Sequence, residues 1–312
     1  MNDTKLIQRF VKDYNLPINI FDEKVFEYYS NLYDFFPKEK WETLKKDIQD
    51  KYRGNVEVWL DYCAEVRDKA INGVMETQEY KDFNNCDLSK YKLTKNIGEH
   101  SYYTNETNGC RFVSIDLKKA NFQALKYVGV ISDKTYGDFI ERFDGSDYIK
   151  DSKYLRQVIF GKMNPGRIIT IEKYIMEKIM SIADEVLPPE FKLYSQNSDE
   201  LVYKQTGNFY GDIRIICAVI EKVVLDNFGI EVRAEYVEVT KLPIVNCNGN
   251  NVDAFVRKNL ITNEEVLKKA STTFYPQIYK LWKGMEIEDM DLWVYTNDQC
   301  AKFFEPLRLN NN

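Results

Sequence analysis

Three carboxylates stand out by their settings. Asp116 ends a β-prone run, Arg111-Phe-Val-Ser-Ile115, and Asp199 with Glu200 opens another, Asp199-Glu-Leu-Val-Tyr203, 83 positions further on. Carboxylates gathered at strand ends repel one another unless a cation sits between them. Mg²⁺, or Mn²⁺ in its place, suits such a pair because it takes oxygen ligands and completes its shell with water and substrate phosphates. Two such ions would clamp the attacking and leaving oxygens of a phosphoryl transfer. Competing chemistries are thin. The single histidine, His100, excludes most Ser-His and Cys-His catalysis. The six cysteines (Cys63, Cys86, Cys110, Cys217, Cys247 and Cys300) are scattered without a CxxC pair, as buried reduced thiols would be.

Whether these carboxylates meet depends on the elements that carry them. Residues 1–95 read as helical throughout, with apolar stripes Phe26-Tyr29-Tyr33-Phe36, Trp41-Leu44-Ile48-Tyr52 and Trp59-Cys63-Val66-Ala70 that mark core-facing sides. Residues 96–245 read as strand, helices, strand, hairpin strand, helix, strand. The hairpin turns at Gln196-Asn197-Ser198. A helix over 212–228 stops at Gly229, and 230–237 alternates as a half-buried strand. That order is the βαββαβ, ferredoxin-like arrangement of an α+β protein. It sets the first and third strands antiparallel at the sheet centre, so Asp116 and Asp199 should lie close enough to share a cation. Glu200, one residue along the strand, should point to the other face or the edge. Residues 246–312 form a smaller C-terminal lobe. It should hold a strand near 253–258, a capped helix over 262–270, an aromatic and lysine-rich segment over 274–282, and a strand over 292–295.

Ser114-Ile-Asp116-Leu-Lys-Lys-Ala-Asn-Phe-Gln-Ala-Leu125 resembles motif A of nucleic-acid polymerase palms, where a strand ends in a metal-binding aspartate. Gln196-Asn-Ser-Asp199-Glu200-Leu-Val-Tyr203 is similar to motif C of family A DNA polymerases, and Arg156-Gln-Val-Ile-Phe160-Gly161 between them to the fingers-helix motif B. The departures are specific. Ser198 stands for the motif C histidine, Arg156 for the motif B lysine, and Asn164-Pro165 for Tyr-Gly. The resemblance implies a palm with fingers-like helices and a thumb-like C-terminal lobe, catalysing two-metal nucleotidyl transfer. Asp116 and Asp199 would hold the metals, with Glu200 beside them. Arg156 and Lys153 would meet the incoming triphosphate, Phe160 its sugar or base, and Phe122 or Asn121 would sense the sugar.

The charge distribution adds to this independently. The chain is net −6, which argues against a protein that coats nucleic acid, yet residues 150–178 carry seven basic against three acidic side chains. Lys162, Arg167 and Lys173 in that stretch are candidate phosphate contacts, and Lys118 and Lys119 follow two and three residues after Asp116. The expected partners are therefore a nucleic-acid template and primer, nucleoside triphosphates and a further protein. No apolar run is long enough for a membrane span, and Met1-Asn-Asp-Thr-Lys5 has no leader-like apolar core, so a cytoplasmic place, viral or otherwise, is expected. The alternative function is a non-catalytic descendant of such a palm, a nucleic-acid- or protein-binding subunit. The net acidity favours it.

Overall fold

The computed structural model describes residues 3–94, 98–296 and 299–310; the boundary expected between residues 95 and 96 lies outside the described residues. The first five helices are Asp3–Asp13 (α1), Glu23–Leu32 (α2), Lys38–Tyr52 (α3), Val56–Met75 (α4) and Gln78–Asn85 (α5). Side-chain oxygens start three of them. Asp22 accepts from the Lys24 and Val25 amides, Asn55 from those of Glu57 and Val58, and Thr77 from that of Tyr80. The first and third stripes are buried as their spacing predicts, with Phe26, Tyr29, Tyr33, Phe36, Trp59 and Cys63 in the main core, while the middle one buries Leu44 and Ile48 and leaves Trp41 and Tyr52 half-buried.

The central sheet begins with Cys110–Leu117 (β1). Five helices follow: Ala120–Tyr127 (α6), Tyr136–Glu141 (α7), Asp147–Asp151 (α8), Lys153–Gly161 (α9) and Pro165–Val186 (α10). The hairpin is Phe191–Gln196 (β2) and Glu200–Gln205 (β3). Ile213–Phe228 (α11) then leads to Val232–Lys241 (β4). Gly229 ends α11 at φ +64°, a left-handed cap that a Cβ would strain. The chain continues through Ile244–Val245 (β5), Phe255–Asn259 (β6), Glu265–Lys268 (β7) and Tyr275–Trp282 (α12). It closes with Trp293–Thr296 (β8), Gln299–Lys302 (β9) and Arg308–Leu309 (β10). With twelve α-helices and an antiparallel six-stranded sheet among the described residues, the chain is a mixed α and β protein. No helix among them is long and apolar enough to cross a membrane.

The sheet order is β2-β3-β1-β4-β6-β7. Its two faces differ in chemistry. On one, Val113, Ile115, Leu117, Leu201, Tyr203 and Val232 join the core shared with α10 and α11. On the other, Phe112, Val202, Val237, Val239 and Phe255 form a second, smaller cluster under Tyr102. Directly opposed residues of an antiparallel pair share a face. The register Asp116↔Glu200 and Asp116↔Arg233 therefore extends this second face into a polar row at the carboxyl end of β1.

Two expectations about the C-terminal residues change. Residues 262–270 are not a helix. Asn259 Oδ1 accepts from the Ile261 and Thr262 amides, Asn263 turns at φ +62°, and Glu265–Lys268 pairs with β6. An Asn side chain that takes over backbone donors competes with helix formation, and β6 offers an edge to pair with. Cys247 and Cys300 are exposed rather than buried; all six cysteines are free. Residues 246–312 are spread over the molecule, since β6 and β7 extend the central sheet. The residues around α12 dock on α2, where Lys280 pairs with Asp291 at 2.8 Å and Tyr28 donates to Asp291 at 3.2 Å.

Candidate active site

The hairpin turn is built by one side chain. Asn197 Oδ1 accepts from the Glu200 amide at 2.7 Å and the Asp199 amide at 3.1 Å, an Asx turn that fixes where both acids stand. The Leu117 amide donates to the Asp199 carbonyl at 2.8 Å, which ties the turn to the end of β1. The Asp199 charge reaches the Asp116 carboxyl there. Burial, followed by the charges of Asp199, Glu200 and Glu235, raises the Asp116 carboxyl to about 6 against the pull of Arg233.

Glu200 corrects an expectation. It shares the face of Asp116 instead of pointing away, because the pleat begins at Glu200 and Asp199 belongs to the turn. Its Oε1 accepts from Ser114 Oγ at 2.6 Å and from Tyr102 OH at 3.0 Å, so the carboxylate is held toward the second apolar cluster.

Glu172 of α10 is a carboxyl that the sequence reading missed. It is 3% exposed, and burial together with the Asp199 charge lifts it to about 7. Asn121 Nδ2 donates to its Oε1 at 2.6 Å. Asn121, expected as a sugar sensor, is thus linked to a group near Asp199. The signal was present: Glu172 stands four residues after Ile168 and three before Ile175, on the stripe that faces the core.

Two cations stand on the helices that follow β1. Lys119 opens α6 with φ +53°, and Arg156 stands on α9. Both lie over the Tyr136 ring, 5.3 and 5.7 Å from its centroid. Burial and then the Arg156 charge lower the Lys119 ammonium, and burial lowers Arg156 itself. Neither makes an ion pair among the described residues, although Glu231 and Asp151 lie near enough to Lys119 to oppose that lowering. Lys153, exposed at the start of α9, contributes to lowering Lys268 of β7, after burial, Arg257 and Arg233. Lys268, directly opposite Phe255, shares the second face of the sheet with the polar row. On that side, Arg233 Nη2 lies 3.4 Å from Asp116 Oδ2, and Arg257 Nη2 donates to Glu235 Oε2 at 2.8 Å.

Other expected contacts are not part of this group. Phe122 and Phe160 are 2% and 1% exposed, packed with Tyr136 and Phe139, and serve as core that seats α9 on α6 and α7. Arg167 is also structural: its guanidinium donates to the Cys86 carbonyl and lies 5.4 Å from the Phe83 ring, fastening α5. Lys162 is exposed at the end of α9. Lys173 is exposed beside Gln196, Asn197 and Ser198 on a cavity of about 300 Å³. A cavity of about 700 Å³ lies elsewhere, between α12, β7 and the loops at Asn15 and Phe35. It touches none of the polar row, and of the other charged groups on that side of the sheet named above it touches only Lys268.

Among the described residues no three Asp, Glu, His or Cys side chains converge as a ready-made metal cage. No family model, curated protein or solved structure matches this chain.

Proposed function

We propose that this chain is a template-directed nucleotidyltransferase with a polymerase-type palm, its Mg²⁺ ions held by Asp116 and Asp199. One observation carries the reading. Two carboxyls, Asp116 at the end of β1 and Glu172 on α10, are pushed up in part by the Asp199 charge, while Lys119 and Arg156 meet over the Tyr136 ring without an ion pair among the described residues. A triphosphate with its metals has the matching pattern, anionic toward Lys119 and Arg156 and cationic toward the acids. The strand order β2-β3-β1-β4, with the motif-like residues at its turn, supports the palm.

The residues present fit the metal. Mg²⁺ needs only one or two protein carboxylates when waters and phosphates complete its shell, so a three-residue cage is not required. Asp116 and Glu172 are both pushed up in part by Asp199, an excess of negative charge that a bound cation relieves. When bound, the metal would supply charge stabilisation to the transferring phosphoryl group. Lys119 and Arg156 would grip phosphate oxygens, Arg156 through its planar fork. Glu172, neutral up to about pH 7, would keep a third negative charge away from Asp199 and hold Asn121 in place.

The second reading is a palm-derived subunit that binds nucleic acid or protein without catalysis. The Arg233 guanidinium on Asp116 favours it, since a resident cation already answers that carboxylate. Primer extension separates the two. With primed and unprimed DNA and RNA templates, Mg²⁺ or Mn²⁺ and all eight nucleoside triphosphates, wild type should extend. Asp116→Asn and Asp199→Asn should each lower incorporation about a hundredfold or more, the loss of several kcal/mol of charge stabilisation. No extension by wild type, or equal extension by both variants, would leave the binding-subunit reading in place.

A further inference from the structure

Asp13 ends α1 far along the chain from the residues above, and it has no accessible surface. A buried carboxylate is tolerated only when its oxygens are fully engaged. Oδ1 accepts from Ser152 Oγ at 2.6 Å, and Oδ2 accepts from Tyr148 OH at 2.7 Å and Arg9 Nε at 2.8 Å. The Arg9 bond is an ordinary pair one turn apart on the same helix. The Ser152 bond does something different. Ser152 is equally buried, and its Oγ accepts from the Leu155 amide at 3.0 Å, which makes it the cap of α9. Its carbonyl accepts from the Arg156 amide at 3.2 Å, the first backbone bond of that helix.

We propose that Asp13 is a positioning residue for the phosphate-binding side of α9, acting through the Ser152 cap on Arg156. A hydroxyl that both caps a helix and donates elsewhere has one orientation left to it. With its proton committed to Asp13, the Ser152 oxygen faces the Leu155 amide, and the start and rotation of α9 are set. The same face of α1 grips the first turn of α9 again at Tyr154, whose ring lies 4.7 Å from Lys12 Nζ and 5.5 Å from the Arg9 guanidinium. Phe160, buried against Phe139 and Tyr136, anchors the far end. Arg156 stands between a polar clamp and an apolar one. This inference rests on the reading of Arg156 as a triphosphate contact.

The test measures binding of dATP and ATP with Mg²⁺ by equilibrium dialysis in the full chain. Asp13→Asn and Ser152→Ala should each raise the dissociation constant about tenfold, with the fold kept by circular dichroism, and should change it less than twofold when Arg156→Ala is already present. That non-additivity is what a merely stabilising pair would not give. Should Asp13→Asn fail to fold, Ser152→Ala carries the test alone, because it leaves the Asp13–Arg9 pair intact. If wild type binds and the folded variants bind as tightly, or if their effects simply add to that of Arg156→Ala, the positioning role is wrong and nucleotidyl transfer stands. If wild type binds neither nucleotide, nucleotidyl transfer falls and this role falls with it.

Discussion

Glu172 holds its proton to about pH 7 because it is buried and faces Asp199, and this has a consequence for stability. Its folded value lies above the ordinary 4.5, so between those values the folded state binds more protons than the unfolded one. Stability contributed by the neutral form is full below about pH 4.5 and is lost as pH rises to about 7. Asp116 shifts in the same direction, over a window that closes near pH 6. Glu172→Gln keeps an acceptor for Asn121 and removes the ionisation. In urea titrations it should stabilise the protein by about 3 kcal/mol at pH 8 and by almost nothing at pH 4. An equal gain at both pH values would show that burial and repulsion are not the cause. Arg156→Ala should leave the melting temperature nearly unchanged and weaken triphosphate binding by about tenfold or more, as loss of a charged phosphate clamp implies.

The element that presents Arg156 is held by aromatic packing, and that fixes what Phe160 does. Phe160→Ala should cost about 3–5 kcal/mol of unfolding free energy, the range for a buried phenylalanine. A stable variant with impaired nucleotide binding would restore Phe160 to the site instead. Elements were legible wherever one periodicity ruled a long segment. The isoleucines of α10 gave both element and buried side, the alternating run over 230–237 gave the strand β4 but not its burial, since 234–237 are covered on both faces, and Asp116 fell at a strand end as its run implies. Reading failed where a side chain rather than a pattern decides the backbone. Asn259 and Asn263 convert an apparent helix start into the turn before β7, and Asn197 places Asp199 outside the pleat, which reverses the side expected for Glu200. Motif spacing likewise could not tell an aromatic that meets a ligand from one that seats a helix. Phe122 and Phe160 are the second kind.

At the scale of the molecule, the last third of the chain completes what the middle begins. Glu235 of β4 is nearly buried, and its two oxygens accept from Arg257 at 2.8 Å and Asn259 at 3.0 Å, both on β6. Lys280 on α12 is 2% exposed and answers Asp291, next to Tyr28 of α2. Removing one partner of a buried pair strands the other, at about 3–5 kcal/mol each. A chain ending at residue 245 should therefore lack a cooperative thermal transition by circular dichroism, and Lys280→Met in the full chain should lower stability by about 3–5 kcal/mol. A truncated chain that melts cooperatively would show that the sheet is complete without β6 and β7.

The polar row Glu200, Asp116 and Arg233 also has a property of parity. Side chains alternate sides along a strand, so an insertion or deletion of one residue inside β1 or β4 would turn the acids inward and bring the apolar residues out. Length changes of even number would preserve the side but move Asp116 away from the turn at Asn197. In any descendant of this sequence that keeps the row, changes of length should fall in the loops between strands. Odd changes within the strands should be found only where the row itself has been lost.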